Sequence, residues 1–201
     1  MGDFIKSWKF MAIIVGLLTV AAIAGVIYGV TTHTEPGLMA GTPGFGSRDV
    51  PINVCPGGYV PDIEGTERAF SAAQDAVNTI NQRLGLTVLQ VSGPHGDGPC
   101  GITVLVGVPS EHSAGHGVVD SGGAAVFDNG SRHCAVTTTN TGTDELLGLV
   151  LQHELGHCLG LAHDDYELSI MRPVQSPTPD GAFPPRISDS DRELLRRVFS
   201  P

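Results

Sequence analysis

The chain has 201 residues, room for one globular domain with an appendage. The 11 basic residues stand against 21 acidic ones, a formal net charge of −10, which excludes the basic face that a nucleic-acid partner needs. Charged residues are only 16 % and glycines number 27, so the chain is loop-rich without being a disordered polyelectrolyte.

The first element is apolar. Phe10 to Val30 runs 21 residues without a charge, enough to cross a hydrocarbon core as a helix. Lys6 and Lys9 precede it and no Lys or Arg follows until Arg48. That bias places residues 1–9 in the cytoplasm and everything after residue 30 outside the cell membrane. The competing reading is a cleaved signal peptide ending near Ala22–Ala24, which gives a secreted protein. Residues 31–47 are rich in Gly, Thr and Pro and read as a flexible stalk, with a folded domain over 48–201.

Within that domain, Val50 to Cys55 alternates Val50, Ile52 and Val54 with small or polar neighbours, a strand pattern. A helix is predicted over 64–84, because Phe70, Ala73, Val77, Ile80 and Leu84 recur on one helical face, and Gly85 closes it. The β-branched runs Leu86–Val91 and Ile102–Val108 predict two more strands, and 124–128 and 134–139 two weaker ones. A second helix is expected over 143–159, with Asp144 and Glu145 where the helix dipole favours negative charge. A last helix is expected over 189–199, N-capped by Ser188. This order predicts an α/β (α+β) domain: a mixed, twisted five-stranded sheet, two main helices and a C-terminal helix.

The chemistry concentrates in "HELGHCLGLAHD", residues 153–164. His153 and His157, four apart on a helix, share one face and can ligate one metal ion. Glu154 stands beside the first of them, where its longer side chain can serve as general base to a metal-activated water. Gly160 lets the chain leave the helix with positive φ, so that His163 returns as a third ligand. Three neutral imidazoles leave a fourth position open, as a catalytic zinc site requires. The competing readings are a buried helix with satisfied histidines and a zinc site without catalysis. Retention of Glu154 weighs against the second, since a structural site has no need of a base.

This pattern, H-E-x-x-H-x-x-G-x-x-H with a methionine in "SIMRP" at Met171, resembles the metzincin zinc metalloproteases, and within that clan the matrixin catalytic domain. The resemblance implies a zincin fold, one catalytic Zn2+ held by His153, His157 and His163, and Met171 in a turn beneath the site. It also implies endopeptidase activity on extracellular proteins or peptides. Three features depart from the matrixin pattern. Asp164 stands where matrixins have Ser, "MRPV" lacks their aromatic residues, and no inhibitory cysteine propeptide precedes the domain. An extended peptide is expected along the sheet edge before the active helix. By family analogy 173–175 would wall the specificity pocket. The rival reading is a non-catalytic, zinc-stabilised surface binding module.

Export makes the four cysteines candidates for two disulfides. In the sheet the resemblance implies, the strands opened by Cys100 and Cys134 are parallel neighbours, which suggests pairing those two. Cys158 shares a helix stripe with Leu147, Leu151 and Leu155, turned away from the metal ligands, and Cys55 is its candidate partner. Buried free thiols are the alternative for that second pair. His95, Asp97, His112, His116, Asp120, His133 and the turn Asp128–Ser131 offer a second Zn2+ or a structural Ca2+ site, against the default reading of polar loops.

Overall fold

Alternating burial along the strands and one apolar face on each helix bring the domain together. The computed structural model describes residues 44–58, 63–92, 99–107, 117–119, 123–127, 132–138, 143–164, 169–172 and 187–201. The expected anchor at 10–30 and most of the stalk lie outside the described residues. Among the described residues no helix is long and apolar enough to cross a membrane.

The elements run β1 (Ile52–Gly58), α1 (Ile63–Leu84), β2 (Leu89–Val91), β3 (Ile102–Val106), β4 (Gly117–Val119), β5 (Gly123–Phe127), β6 (Cys134–Thr138), α2 (Asp144–Cys158) and α3 (Asp189–Phe199). The sheet order is β2-β1-β3-β6-β5-β4. The first four strands are parallel, while β5 and β4 pair antiparallel. The sheet therefore has six strands and not the expected five. The extra one, β4, is three residues in a Gly-rich stretch, too short to carry a period-2 signal.

Side chains on one face of the sheet, Ile52, Val54, Ile102, Val104, Cys134 and Val136, are all nearly or fully buried. Both long helices lie on that face: α1 packs on β1, β2 and β3, and α2 on β5 and β6. Of the predicted α1 stripe, Ala73, Val77, Ile80 and Leu84 are buried and Phe70 is only half-buried, while Ala69, Ala72 and Ala76 join the buried face. These small residues let the helix backbone approach the sheet closely. Gly85 closes α1 at φ 67. Asn81 then ties the helix end to β2. Its Oδ1 accepts from the N–H groups of Val88 and Leu89, and its Nδ2 donates to Leu89 O. On the N-terminal side, ordered packing extends upstream of Arg48 to Phe45, which packs against the core. Arg132 pairs with Asp49 across this start of the domain.

The disulfides join Cys55 to Cys100 and Cys134 to Cys158, which corrects both expected pairings. The reason lies in the pleat. Cys55 follows the buried Val54 and so points to the sheet face away from the helices, where Cys158 cannot reach it. Its strand neighbours β3, with Cys55 in register with Thr103, which leaves Cys100 close by. Cys134 lies on the helix face, fully buried, under α2 and its equally buried Cys158. The expected stripe of Leu147, Leu151, Leu155 and Cys158 does pack in the core. The bridges close spans of 45 and 24 residues, each contributing roughly 3–4 kcal/mol by loop-closure entropy.

Candidate metal centre

Helix α2 supplies the first two histidines. Thr143 caps its start, accepting from Leu146 N–H through the side chain, and Asp144 and Glu145 occupy the first turn. The Arg68–Asp144 ion pair at 2.6 Å ties this end to α1. At the other end Gly160 takes φ 99, as the exit from the helix requires. Its N–H donates to His157 O, and Leu161 N–H donates to Gly156 O. The chain then turns back and brings His163 to the helix.

The three imidazoles meet at one point. His157 Nε2 stands 3.0 Å from His153 Nε2 and 3.2 Å from His163 Nε2. The hydrogen bonds at the other ring nitrogens fix what these atoms are. His153 Nδ1 lies 2.5 Å from Ile170 O, and His157 Nδ1 lies 2.8 Å from Leu161 O. A carbonyl only accepts, so each Nδ1 carries the proton and each Nε2 of the neutral ring presents a lone pair. Lone pairs at such separations repel unless a cation lies between them. Ligands about 2.0–2.1 Å from one tetrahedral ion stand roughly 3.3 Å apart, so the donor set fits a zinc-sized ion. Among the described residues these three histidines are the one group of this kind that can hold a metal ion. The carbonyls of Ile170 and Leu161 also orient the rings, as outer-shell acceptors do in metal sites.

Met171 lies in the turn that supplies the Ile170 carbonyl, and is fully buried. A Cβ on Gly156 would come within 2.5 Å of Met171 Sδ, so the turn of helix between the two ligands sits directly on the methionine. Ser169 Oγ accepts from Met171 N–H, and Met171 O accepts from Asp164 N–H, which locks the turn to the strand-like exit after His163.

Glu154 is 1 % exposed. Its carboxylate rests on the first residue of β5: a Cβ at Gly123 would stand 2.7 Å from Glu154 Oε1. Gly123 carries no signal in the sequence, since a glycine opening a short strand gives no hint of what lies above it. Asp164, the departure from the matrixin pattern, has a partner that lies far along the chain. Asp164 is buried, and its carboxyl meets that of Asp191 on the first turn of α3. Ser188, the helix cap, also donates to Asp191 Oδ2 at 2.8 Å. Of the other candidate metal residues, His133 is exposed with its Nε2 3.0 Å from Thr103 Oγ1, and joins no cluster among the described residues. His95, Asp97, His112, His116, Asp120, the turn 128–131 and the pocket wall 173–175 lie outside the described residues.

Burial pushes the Asp191 carboxyl up from 3.8 to about 6, with the adjacent Asp164 carboxyl adding to the rise and the Ser188 bonds opposing it. A raised folded pKa means that the folded protein holds a proton the unfolded chain has already lost. This stability is fully present below pH 3.8 and is lost as pH rises through about 6, at no more than about 1.4 kcal/mol per pH unit. Urea unfolding of the wild type and of Asp191→Asn at pH 4, 5, 6 and 7 is expected to show a stability difference that shrinks on the acid side. A difference independent of pH would refute the assignment.

A mixed sheet, a ligand helix left through glycine, and a buried methionine under three converging histidines are the features that the metzincin resemblance implies. Residues 104–200, just under half of the chain, match the family model of the matrixins, and that stretch carries the histidine signature. No curated protein matches the chain. Among solved structures, the archaemetzincin of Methanopyrus kandleri is similar at 15 % identity and a TM-score of 0.42, covering 73 % of this chain and 94 % of its own. The ECX AB5 holotoxin in its GM1-bound form is similar at 15 % identity and a TM-score of 0.37, covering 75 % of this chain and 63 % of its own.

Proposed function

We propose that the chain is a zinc-dependent endopeptidase acting on extracellular proteins or peptides. The observation that carries this reading is the convergence of three imidazole Nε2 atoms next to a buried glutamate that no structural metal site needs. His153, His157 and His163 hold the ion. Zinc bound there supplies Lewis-acid polarisation of a carbonyl and of water. Glu154 takes a proton from water at a carboxylate oxygen and passes it to the departing amine nitrogen. The carbonyls of Ile170 and Leu161 keep two of the ligand rings in the required tautomer. The peptide lies extended along the β5–β4 end of the sheet, the end that Gly123 brings to Glu154. The segment 10–30 anchors the domain outside the membrane, and the two disulfides suit such an oxidising compartment.

A casein or peptide-library digest tests the reading. The full chain with zinc is expected to cleave internal peptide bonds, to lose all cleavage with a chelator, and to regain it when zinc is returned. Zinc binding without cleavage of any library member would leave the non-catalytic binding module instead.

A further inference from the structure

One buried hydroxyl has no role in the proposed chemistry. Thr138, the last residue of β6, is fully buried, and its Oγ1 has no hydrogen-bond partner among the described residues. Buried polar groups are nearly all paired, so a hydroxyl left over inside the domain calls for a reason.

The sheet register says what this hydroxyl faces. Successive residues of a strand alternate between the two faces. Cys134 turns to the helix face, since it is bonded to Cys158 of α2. Val136 and Thr138, two and four residues on, turn the same way. Thr138 also stands directly opposite Gly123 of β5. The direction of Gly123 is fixed independently: a Cβ there would stand 2.7 Å from Glu154 Oε1 and 3.0 Å from Val150 Cγ1. Directly opposed residues share a face, with their Cβ positions about 4.5–5.5 Å apart. Both bearings, through the disulfide and through Gly123, put the Thr138 side chain under α2, one strand over from the seat of the Glu154 carboxylate. Gly123 has no side chain to stand between them.

A hydroxyl suits that place. It donates one hydrogen bond and rotates to find its acceptor. The side chains that share this face of α2 with Glu154, namely Leu147, Leu151 and Cys158, offer no oxygen. Glu154 is the acceptor the helix brings here.

We propose that Thr138 is a positioning residue for Glu154: its hydroxyl donates to one carboxylate oxygen and leaves the other to take the proton from water. Thr138 is unbonded in the structure, so this bond forms by rotation of the two side chains with the backbone in place. The role in catalysis rests on the reading of Glu154 as the base of a peptidase. The hydrogen bond itself does not.

The zinc-loaded full chain tests both halves, as wild type, Thr138→Val, Thr138→Ser, Glu154→Met and the double variant Thr138→Val with Glu154→Met. Valine keeps the shape of threonine, and methionine the length of glutamate without its oxygens. In urea unfolding, Thr138→Val is expected to lower the folding equilibrium constant by about tenfold in the wild-type background. In the Glu154→Met background it should have no such cost, because the hydroxyl then has nothing to bond. In cleavage of the best library peptide, Thr138→Val is expected to lower kcat by about tenfold with KM and zinc stoichiometry unchanged, and Thr138→Ser to recover most of the loss. If Thr138→Val does not fold, Thr138→Ala against Thr138→Ser carries the same comparison. Coupling in urea from a chain that cleaves nothing would keep the Thr138–Glu154 bond and sink the peptidase reading. An equal cost of Thr138→Val in both backgrounds, or wild-type kcat in Thr138→Val, would overturn the proposal and leave that reading standing.

Discussion

Glu154→Gln is expected to lower kcat by about 10²–10⁴-fold while zinc stoichiometry and the unfolding midpoint stay near wild type. Glutamine keeps the size and shape of a side chain that is 1 % exposed, so no cavity opens beneath the site. What it removes is the proton acceptor. The three imidazoles are held by other groups: two by the carbonyls of Ile170 and Leu161, the third by the chain reversal at Gly160. Metal affinity therefore has no reason to fall. Replacing a buried carboxylate by an amide also relieves the cost of keeping charge out of water, which works towards stability and against any reading of Glu154 as structural. Activity on the best library peptide, with zinc counted by mass spectrometry of the native protein, checks both halves. Full activity in Glu154→Gln would remove Glu154 from the mechanism.

The candidate centre was legible in the sequence because its parts obey local rules. Helical periodicity puts His153 and His157 on one face, and a glycine at position 160 announces an exit that only positive φ permits, observed at 99. The ends of α1, α2 and α3 follow equally local signals: Gly85, the first-turn acids and the Ser188 cap. What the sequence hid depends on partners far along the chain. The disulfide pairing turned on which face of β1 carries Cys55, and a strand of alternating burial sends neighbouring residues to opposite faces. Cys55 lies within β1 with parity opposite to the buried Val54, so its side chain faces Cys100 and not Cys158. Strand β4 was hidden for a different reason, since three residues carry no period. The Asp164–Asp191 contact joins the third ligand's neighbour to α3, and only the folded chain brings those carboxyls together. Both first-turn acids of α3 compensate the helix dipole, which is sufficient reason for Asp189 and incomplete for Asp191.

Gly123 is where a second large effect is expected, and its cause is steric. Ordinarily an alanine in place of a strand glycine is mildly favourable, by about 0.5–1 kcal/mol, because the unfolded chain has less freedom to lose. At Gly123 the new methyl would stand 2.7 Å from Glu154 Oε1, 3.0 Å from Glu154 Cγ and 3.0 Å from Val150 Cγ1. A flexible tip alone can move aside, but here Cγ is contacted too, and the glutamate is enclosed by packed neighbours. The carboxylate must leave its position, and a shift of about 1 Å in a catalytic group costs on the order of 100-fold in rate. Gly123→Ala is therefore expected to lose about 100-fold in kcat/KM with its zinc and its unfolding midpoint nearly intact, and Gly123→Val to lose more. Gly57→Ala is the matched control. It adds the same methyl to a strand of the same sheet, where the nearest atom of the kind is Leu105 Cδ2 at 3.9 Å, and it should leave activity unchanged. Equal activity in Gly123→Ala and Gly57→Ala would mean that Glu154 works from somewhere other than its seat on β5.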